Sequence, residues 1–453
     1  MLDNDKIDKI LVCHDTDLNI LSVVSFQLEH NISYETVSPN ELNSYLEQQS
    51  DETKDDMQTD KTIENEPEFI DDSIIELIDS IISDGIRLRA SDIHLEPFEK
   101  KMDVRYRIDG VLQSRKTIER SEIPAVISRV KIMSGLDIAE KRRPQDGRIR
   151  FEYKTRTIDL RVSVLPTDFG EKIVLRILDK SELNLDLNYL GFEKSDLSLF
   201  KSKIKLPNGV ILITGPTGSG KTTTLYATLN HIKSPELNIT TIEDPIEYNL
   251  EGINQTQIKP QINLTFASSL RAILRQDPNI IMVGEIRDNE TLENALRAAL
   301  TGHLVFSTIH TNDAISTITR LVDLGAEEYL LRSALKLIVA QRLVRKICPK
   351  CKSQGDNESE KAALKALNVT DYFGFSFGAG CEFCHNTGYS GRTAIYEMLP
   401  IDESNSGKVL SDQLTSNSSQ LYKELGVFTL RQKGIELIKE GITTPSEVLR
   451  ETG

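Results

Sequence analysis

Tryptophan is absent from the 453 residues, and phenylalanine and tyrosine bring the aromatic share only to 6%. Basic residues are outnumbered: 54 Lys and Arg face 69 Asp and Glu, for a formal net charge of −15. So acidic a chain, without basic residues interleaved with aromatics, is not expected to bind nucleic acid over a broad surface. No apolar run approaches the roughly 18 residues that span a bilayer, so membrane contact is expected only through partners. The opening Met1-Leu2-Asp3-Asn4-Asp5 is acidic and lacks the basic stretch of a secretory signal. That points to the cytoplasm, where thiols stay reduced and the five cysteines would not form a disulfide framework.

What is present is ordinary for a globular protein: 39% hydrophobic and 27% charged residues, over a length that predicts about three domains. The rest is organised around Gly215-Pro216-Thr217-Gly218-Ser219-Gly220-Lys221-Thr222-Thr223. Gly215, Gly220, Lys221 and Thr222 occupy the fixed positions of G-x-x-x-x-G-K-[ST]. The apolar run Val210–Ile213 precedes it and a helix-compatible run follows, so strand, glycine-rich turn and helix together predict a phosphate cradle. Lys221 would neutralise the β- and γ-phosphates of ATP, and the Thr222 hydroxyl would ligate Mg²⁺.

In chain order, residues 1–46 read as a small α/β piece, with strands near Lys9–Val12 and Ile32–Val37 and Cys13 as a small core residue. Residues 47–68 are acidic and almost devoid of apolar side chains, the composition of a flexible linker. Residues 69–200 begin with an amphipathic helix on Ile74, Ile78, Ile81 and Ile82, then turn to strands at 92–95, 102–108 and 158–164, with Asp109-Gly110 as a hairpin turn. These strands alternate apolar residues with Arg105, Arg107, Arg148, Arg161 and Arg176, which predicts one basic sheet face in an acidic protein.

Residues 201–345 alternate strand-like and helical runs, predicting an α/β domain with a mostly parallel sheet and its chemistry at the carboxyl ends of the strands. The run Ile239–Ile242 leads to Glu243 and the run Ile280–Val283 to Gly284-Glu285, with Gly284 where an aspartate usually stands. Glu285 is the candidate for Mg²⁺ and Glu243 for polarising the attacking water. His310, after the run Leu304–Ser307, either senses the γ-phosphate or hydrogen-bonds within the core. In residues 346–453, Cys348-x-x-Cys351 and Cys381-x-x-Cys384 predict a tetrahedral Zn²⁺ site at the base of a loop, followed by helices. His385 is the alternative fourth ligand.

Together with Ser91–Pro97, Tyr106–Gly110, Pro144–Arg148, Thr241–Glu247, Gly284–Asp288 and Thr301–His310, these residues resemble the ATPases of type II secretion and type IV pilus assembly. The resemblance implies a homo-hexameric ring motor with a PAS-like α+β domain before a RecA-like P-loop domain, ATP lying in the cleft between them. It implies that Arg161 and Arg176 reach the phosphates when that cleft closes. It further implies an inner-membrane platform protein as partner and a location at the cytoplasmic side of that membrane. Residues 1–46 resemble the carboxyl half of the domain that docks a cytoplasmic membrane-anchored protein, with the front half missing. A retraction motor is the nearest rival; a regulatory module without turnover and a nucleic-acid translocase stand further off.

Overall fold

The computed structural model describes residues 9–13, 33–38, 72–179, 185–355, 357–369, 374–410 and 418–453. The chain divides into two compact units, Met1–Phe69 and Ile70–Gly453. In the first, strands β1 (Lys9–Cys13) and β2 (Ser33–Val37) pair in parallel. The helices expected at 18–28 and 40–46, the acidic linker and the side chain of Cys13 lie outside the described residues.

The second unit opens with the helix Asp72–Arg87, whose Ile74, Ile78, Ile81 and Ile82 are buried at the expected three- and four-residue spacing. It covers one face of a six-stranded antiparallel sheet in the order β5-β4-β3-β8-β7-β6. These strands are β3 (Ala90–Pro97), β4 (Lys101–Ile108), β5 (Val111–Glu119), β6 (Gln145–Tyr153), β7 (Arg156–Thr167) and β8 (Gly170–Leu178). A second helix, Ile123–Ser134, packs with the first over Ile93, Val104, Leu160, Val162 and Leu175. Strand side chains alternate faces, so burying these residues forces the intervening ones to the other face. The register lines up Arg107, Asp92, Arg176, Arg161 and Arg148 in one row across β4, β3, β8, β7 and β6. The basic face is therefore a ladder of arginines with one carboxylate set into it.

The larger sheet has seven strands in the order β11-β10-β12-β13-β9-β14-β17. They are β9 (Gly209–Thr214), β10 (Ile239–Glu243), β11 (Asn254–Gln257), β12 (Ile280–Val283), β13 (Leu304–Ile309), β14 (Leu335–Ile347) and β17 (Tyr389–Pro400). All pair in parallel except β14 with β17. The central strands are buried throughout and mostly apolar because helices cover both faces. Sequence reading named four of these strands. The seventh, β17, lies past residue 345, so the region after the ATPase segment supplies an edge strand to its sheet. Between β14 and β17, a short pair, β15 (Lys352–Gln354) with β16 (Ser376–Gly378), flanks the helix Glu358–Ala366. Among the described residues no helix is long and apolar enough to cross a membrane.

Candidate active site

Strand β9 ends at Thr214, and the chain turns through Gly215–Gly220 into the helix Lys221–Ile232. Two glycines are required by close approach as well as by φ. A Cβ on Gly215, at φ 150°, would stand 2.5 Å from the carbonyl of Gln341; one on Gly220, at φ 89°, would stand 2.8 Å from the Gln341 amide. Gln341, 2% exposed on β14, is the staple of this turn: its Nε2 donates to Ser219 O at 2.7 Å and its Oε1 accepts from Thr224 Oγ1 at 2.8 Å. The hydroxyl of Ser219 is buried without a hydrogen-bond partner, as a cradle awaiting an anion would leave it.

The Lys221 ammonium donates to the carbonyls of Gly215 and Pro216, at 2.8 and 3.0 Å. Burial pushes its pKa down to about 8, with Arg342 adding to the fall and Glu285 opposing it. A bound phosphate favours the protonated form, so nucleotide binding takes up a proton wherever the free lysine has lost one. Affinity for ATP should hold below this pKa and weaken above it, approaching roughly tenfold per pH unit. Calorimetry in buffers of different ionisation enthalpy would read the proton uptake; a flat affinity between about pH 7 and about pH 9.5 would overturn the assignment.

Two carboxylates stand at the strand ends and differ sharply in surroundings. Glu243 is 3% exposed, and its oxygens accept from Tyr226 OH, Thr241 Oγ1 and, at 3.0 Å, Gln255 Nε2. Tyr226 in turn accepts from the backbone N–H of Glu247. Glu243, the candidate for polarising water, lines the cleft while these three protein donors engage its oxygens. Glu285 faces the cleft, with Arg287 Nη2 at 2.5 Å and His310 Nε2 at 3.6 Å. Burial and the neighbouring Lys221 lower the His310 pKa, which keeps the ring neutral at pH 7. The glycine preceding Glu285 has a steric reason: a Cβ on Gly284 would meet Ile242 O at 3.0 Å.

The P-loop faces the arginine ladder across a cavity of about 870 Å³. Pro216 through Thr223, Glu243, Glu285 and His310 line it from one side, and Asp92, Arg107 and Arg176 from the other. Arg161, the register partner of Arg176, turns its guanidinium to other groups. Its Nη1 lies 3.0 Å from Glu247 and its Nη2 donates to Ile246 O at 2.8 Å, on the loop that follows β10. A second tether runs from Asp109, which accepts from Gly391 N at 3.0 Å.

The four cysteines converge. The sulfurs of Cys348 and Cys381, and of Cys351 and Cys384, are 3.8 Å apart, and those of Cys381 and Cys384 are 3.6 Å apart. Sulfurs bound about 2.3 Å from a tetrahedral zinc are separated by about 3.8 Å, so the donor set fits that ion. Backbone N–H groups of Cys381 and Gly388 each donate to Cys384 Sγ at 3.3 Å. Against the opposing effect of burial, such donors draw this thiol below its usual range. Among the described residues the cluster contains the four cysteines and not His385. It closes the base of the segment carrying β15, β16 and the helix between them.

Residues 69–450 match the family described as type II/IV secretion system protein. The chain belongs to this family. Among its relatives, the type II secretion system protein E of Pseudomonas aeruginosa is 48% identical over 382 residues, covering 84% of this chain and 76% of that protein. The type IV pilus assembly ATPase PilB of Myxococcus xanthus is 47% identical over 386 residues, covering 84% and 68%. Of solved structures, the pilus retraction motor PilT with bound ADP is 28% identical at a TM-score of 0.54, covering 83% of this chain and 96% of that one. The Legionella pneumophila ATPase DotB, 22% identical at a TM-score of 0.60 over 87% of this chain and 97% of that one, shares the fold.

Around the P-loop and the cleft stand residues that motif reading passed over. Gln341 had a signal, a lone amide inside the apolar run of β14. Tyr226 had none, because its hydroxyl meets Glu243 only after the helix packs on β10. Arg107 was grouped with the basic face and now stands in the cleft itself.

Proposed function

We propose that the chain is the ATP-hydrolysing motor of a type II secretion or type IV pilus assembly machine. In this reading it works as a homo-hexamer at the cytoplasmic face of the inner membrane. Its partners are a platform protein and a membrane-anchored docking protein, with no nucleic-acid partner. The observation that carries the reading is the single cleft in which a P-loop lysine and Glu285 face arginines from a separate sheet.

Lys221 and the glycine-rich turn, Gly215 to Thr223, hold the triphosphate of ATP, and Arg107 and Arg176 meet the charge that develops on the γ-phosphoryl. Thr222 and Glu285, hard oxygen donors lining the cleft, would hold Mg²⁺, which when bound supplies charge neutralisation at the β/γ oxygens. Glu285 also orients the attacking water, with neutral His310 beside it as the γ-phosphate contact. Glu243, held by Tyr226, keeps the loop after β10 in place through the Glu247 amide. Arg161 reaches phosphate only after releasing Glu247 and Ile246, so it belongs to the closed cleft, and its exchange of partners links hydrolysis to movement of the two lobes. Cys348, Cys351, Cys381 and Cys384 would hold Zn²⁺, which when bound would pin the segment between β14 and β17.

Steady-state phosphate release from ATP by the purified full chain tests the reading. Turnover that requires Mg²⁺ is the expected result. Nucleotide binding without any phosphate release would instead leave a regulatory module.

A further inference from the structure

One carboxylate interrupts the arginine ladder. Asp92, 7% exposed on β3, sits directly opposite Arg107 on β4 and Arg176 on β8. Its Oδ1 lies 3.1 Å from Arg176 Nε and its Oδ2 lies 3.6 Å from Arg107 Nε, while Ser91 Oγ donates to Oδ2 at 2.8 Å. All three charged side chains line the P-loop cleft. A surface built only to attract phosphate would leave a carboxylate out, because it repels the ligand and occupies the groups that should meet it. A surface that must also let the product go has a use for it.

We propose that Asp92 is a positioning residue acting through Arg107 and Arg176: a resident counter-ion that competes with nucleotide phosphates for the two guanidinium groups and recaptures them after hydrolysis. The proposal rests on the reading that these arginines meet the phosphates. In the present structure Asp92 holds both arginines through Nε. Arg107 Nη1 donates to Gly110 O at 3.1 Å, and the Nη groups of Arg176 have no hydrogen-bond partner among the described residues. Both Nη groups of Arg176 and Nη2 of Arg107 are thus the parts left to engage an anion. A triphosphate outcompetes Asp92; once the γ-phosphoryl has left, the diphosphate competes less well, and re-formation of the Asp92 pairs favours the open cleft. If Asp92 served only to hold the sheet together, neutralising it would lower stability and leave ADP affinity unchanged or weaker.

The experiment measures ADP affinity, ATP affinity and steady-state kinetics on the full chain for Asp92→Asn and Arg176→Gln, alone and combined. Arg176→Gln should weaken ATP binding by about tenfold. Asp92→Asn should tighten ADP binding by about tenfold and lower kcat and KM together, because product leaves slowly; the gain should shrink by at least half when Arg176 is already Gln. If Arg176→Gln binds ATP like the parent, the underlying phosphate contact is wrong. If Arg176→Gln weakens ATP but folded Asp92→Asn binds ADP no better than the parent, the counter-ion role alone is overturned. Ser91→Ala is a second variant of opposite sign: freeing Oδ2 from the hydroxyl strengthens the arginine pairs, so ADP should bind about twofold to threefold more weakly. Parental or tighter ADP binding in Ser91→Ala would count against the proposal.

Discussion

Glu285→Gln should bind ATP with near-parental affinity and hydrolyse it about 10²–10³ times more slowly. The substitution keeps size and shape and removes only the charge. Of the two glutamates that line the cleft from the strand ends, Glu243 is engaged by Tyr226, Thr241 and Gln255, whereas Glu285 is met by the exposed side chains of Arg287 and His310. Lys221 and Gly215–Thr223, with the Thr222 hydroxyl, remain in place, so at pH values where Lys221 stays protonated ground-state binding has little reason to change. Removing the negative charge also takes away the one effect opposing the fall of the Lys221 pKa, so the affinity loss at high pH should begin lower than in the parent. Single-turnover measurement of bound ATP separates the chemical step from release. Parental turnover by the glutamine variant would show that Glu285 neither orients water nor holds the metal.

Cys384→Ser, or removal of metal by a strong chelator, should lower the stability of the second unit by more than about 4 kcal/mol. Cys384 receives two backbone N–H donors and is within 3.8 Å of two other thiols. Taking away the ion leaves four thiol groups pressed together without the bond that justifies their approach. The damage should begin between residues 348 and 388, where hydrogen exchange would quicken first, and then reach β17, because Cys348 N donates to Gly388 O at 2.9 Å just before β17 begins. Elemental analysis should find about one zinc per chain in the parent. Parent protein with no bound zinc and an unchanged melting temperature in Cys384→Ser would remove the metal from the account.

The phosphate cradle was legible because its requirements are local. A strand, a turn that needs glycine and a helix beginning at Lys221 lie within a few residues, and their order is enough. The cysteine cluster was legible for a similar reason, since each C-x-x-C knuckle is itself a local turn. Even the arginine face could be read, because alternation along Met102–Ile108 and Ile158–Val164 reports the side of a strand directly. The strands β14 and β17 were missed in part because long apolar runs do not distinguish a buried strand from a buried helix, and in part because their pairing spans a distance no local pattern records.

Which arginine does what was not legible. Arg107, Arg161 and Arg176 have the same local grammar, a charge between apolar neighbours on a strand. Register sets all three in one row, and packing separates their partners: Arg176 and Arg107 flank Asp92 at the cleft, whereas Arg161 meets Glu247 and Ile246 on the loop beyond β10. The same holds for the two glutamates. Sequence placed each after an apolar strand; only packing set Tyr226 and Gln255 against Glu243 and Arg287 and His310 against Glu285.

By itself the sequence determined the chemistry available to this protein: a triphosphate cradle, a thiolate metal site, a basic sheet face and a family. It could do so because those features are written in neighbouring residues or in periods of two and of three to four. The tertiary structure decided which charges meet. Electrostatic partners such as Asp92 with Arg176, or Arg161 with Glu247, are 84 and 86 positions apart in the numbering of the chain, and strength of interaction depends on separation in space, which register and domain packing alone establish.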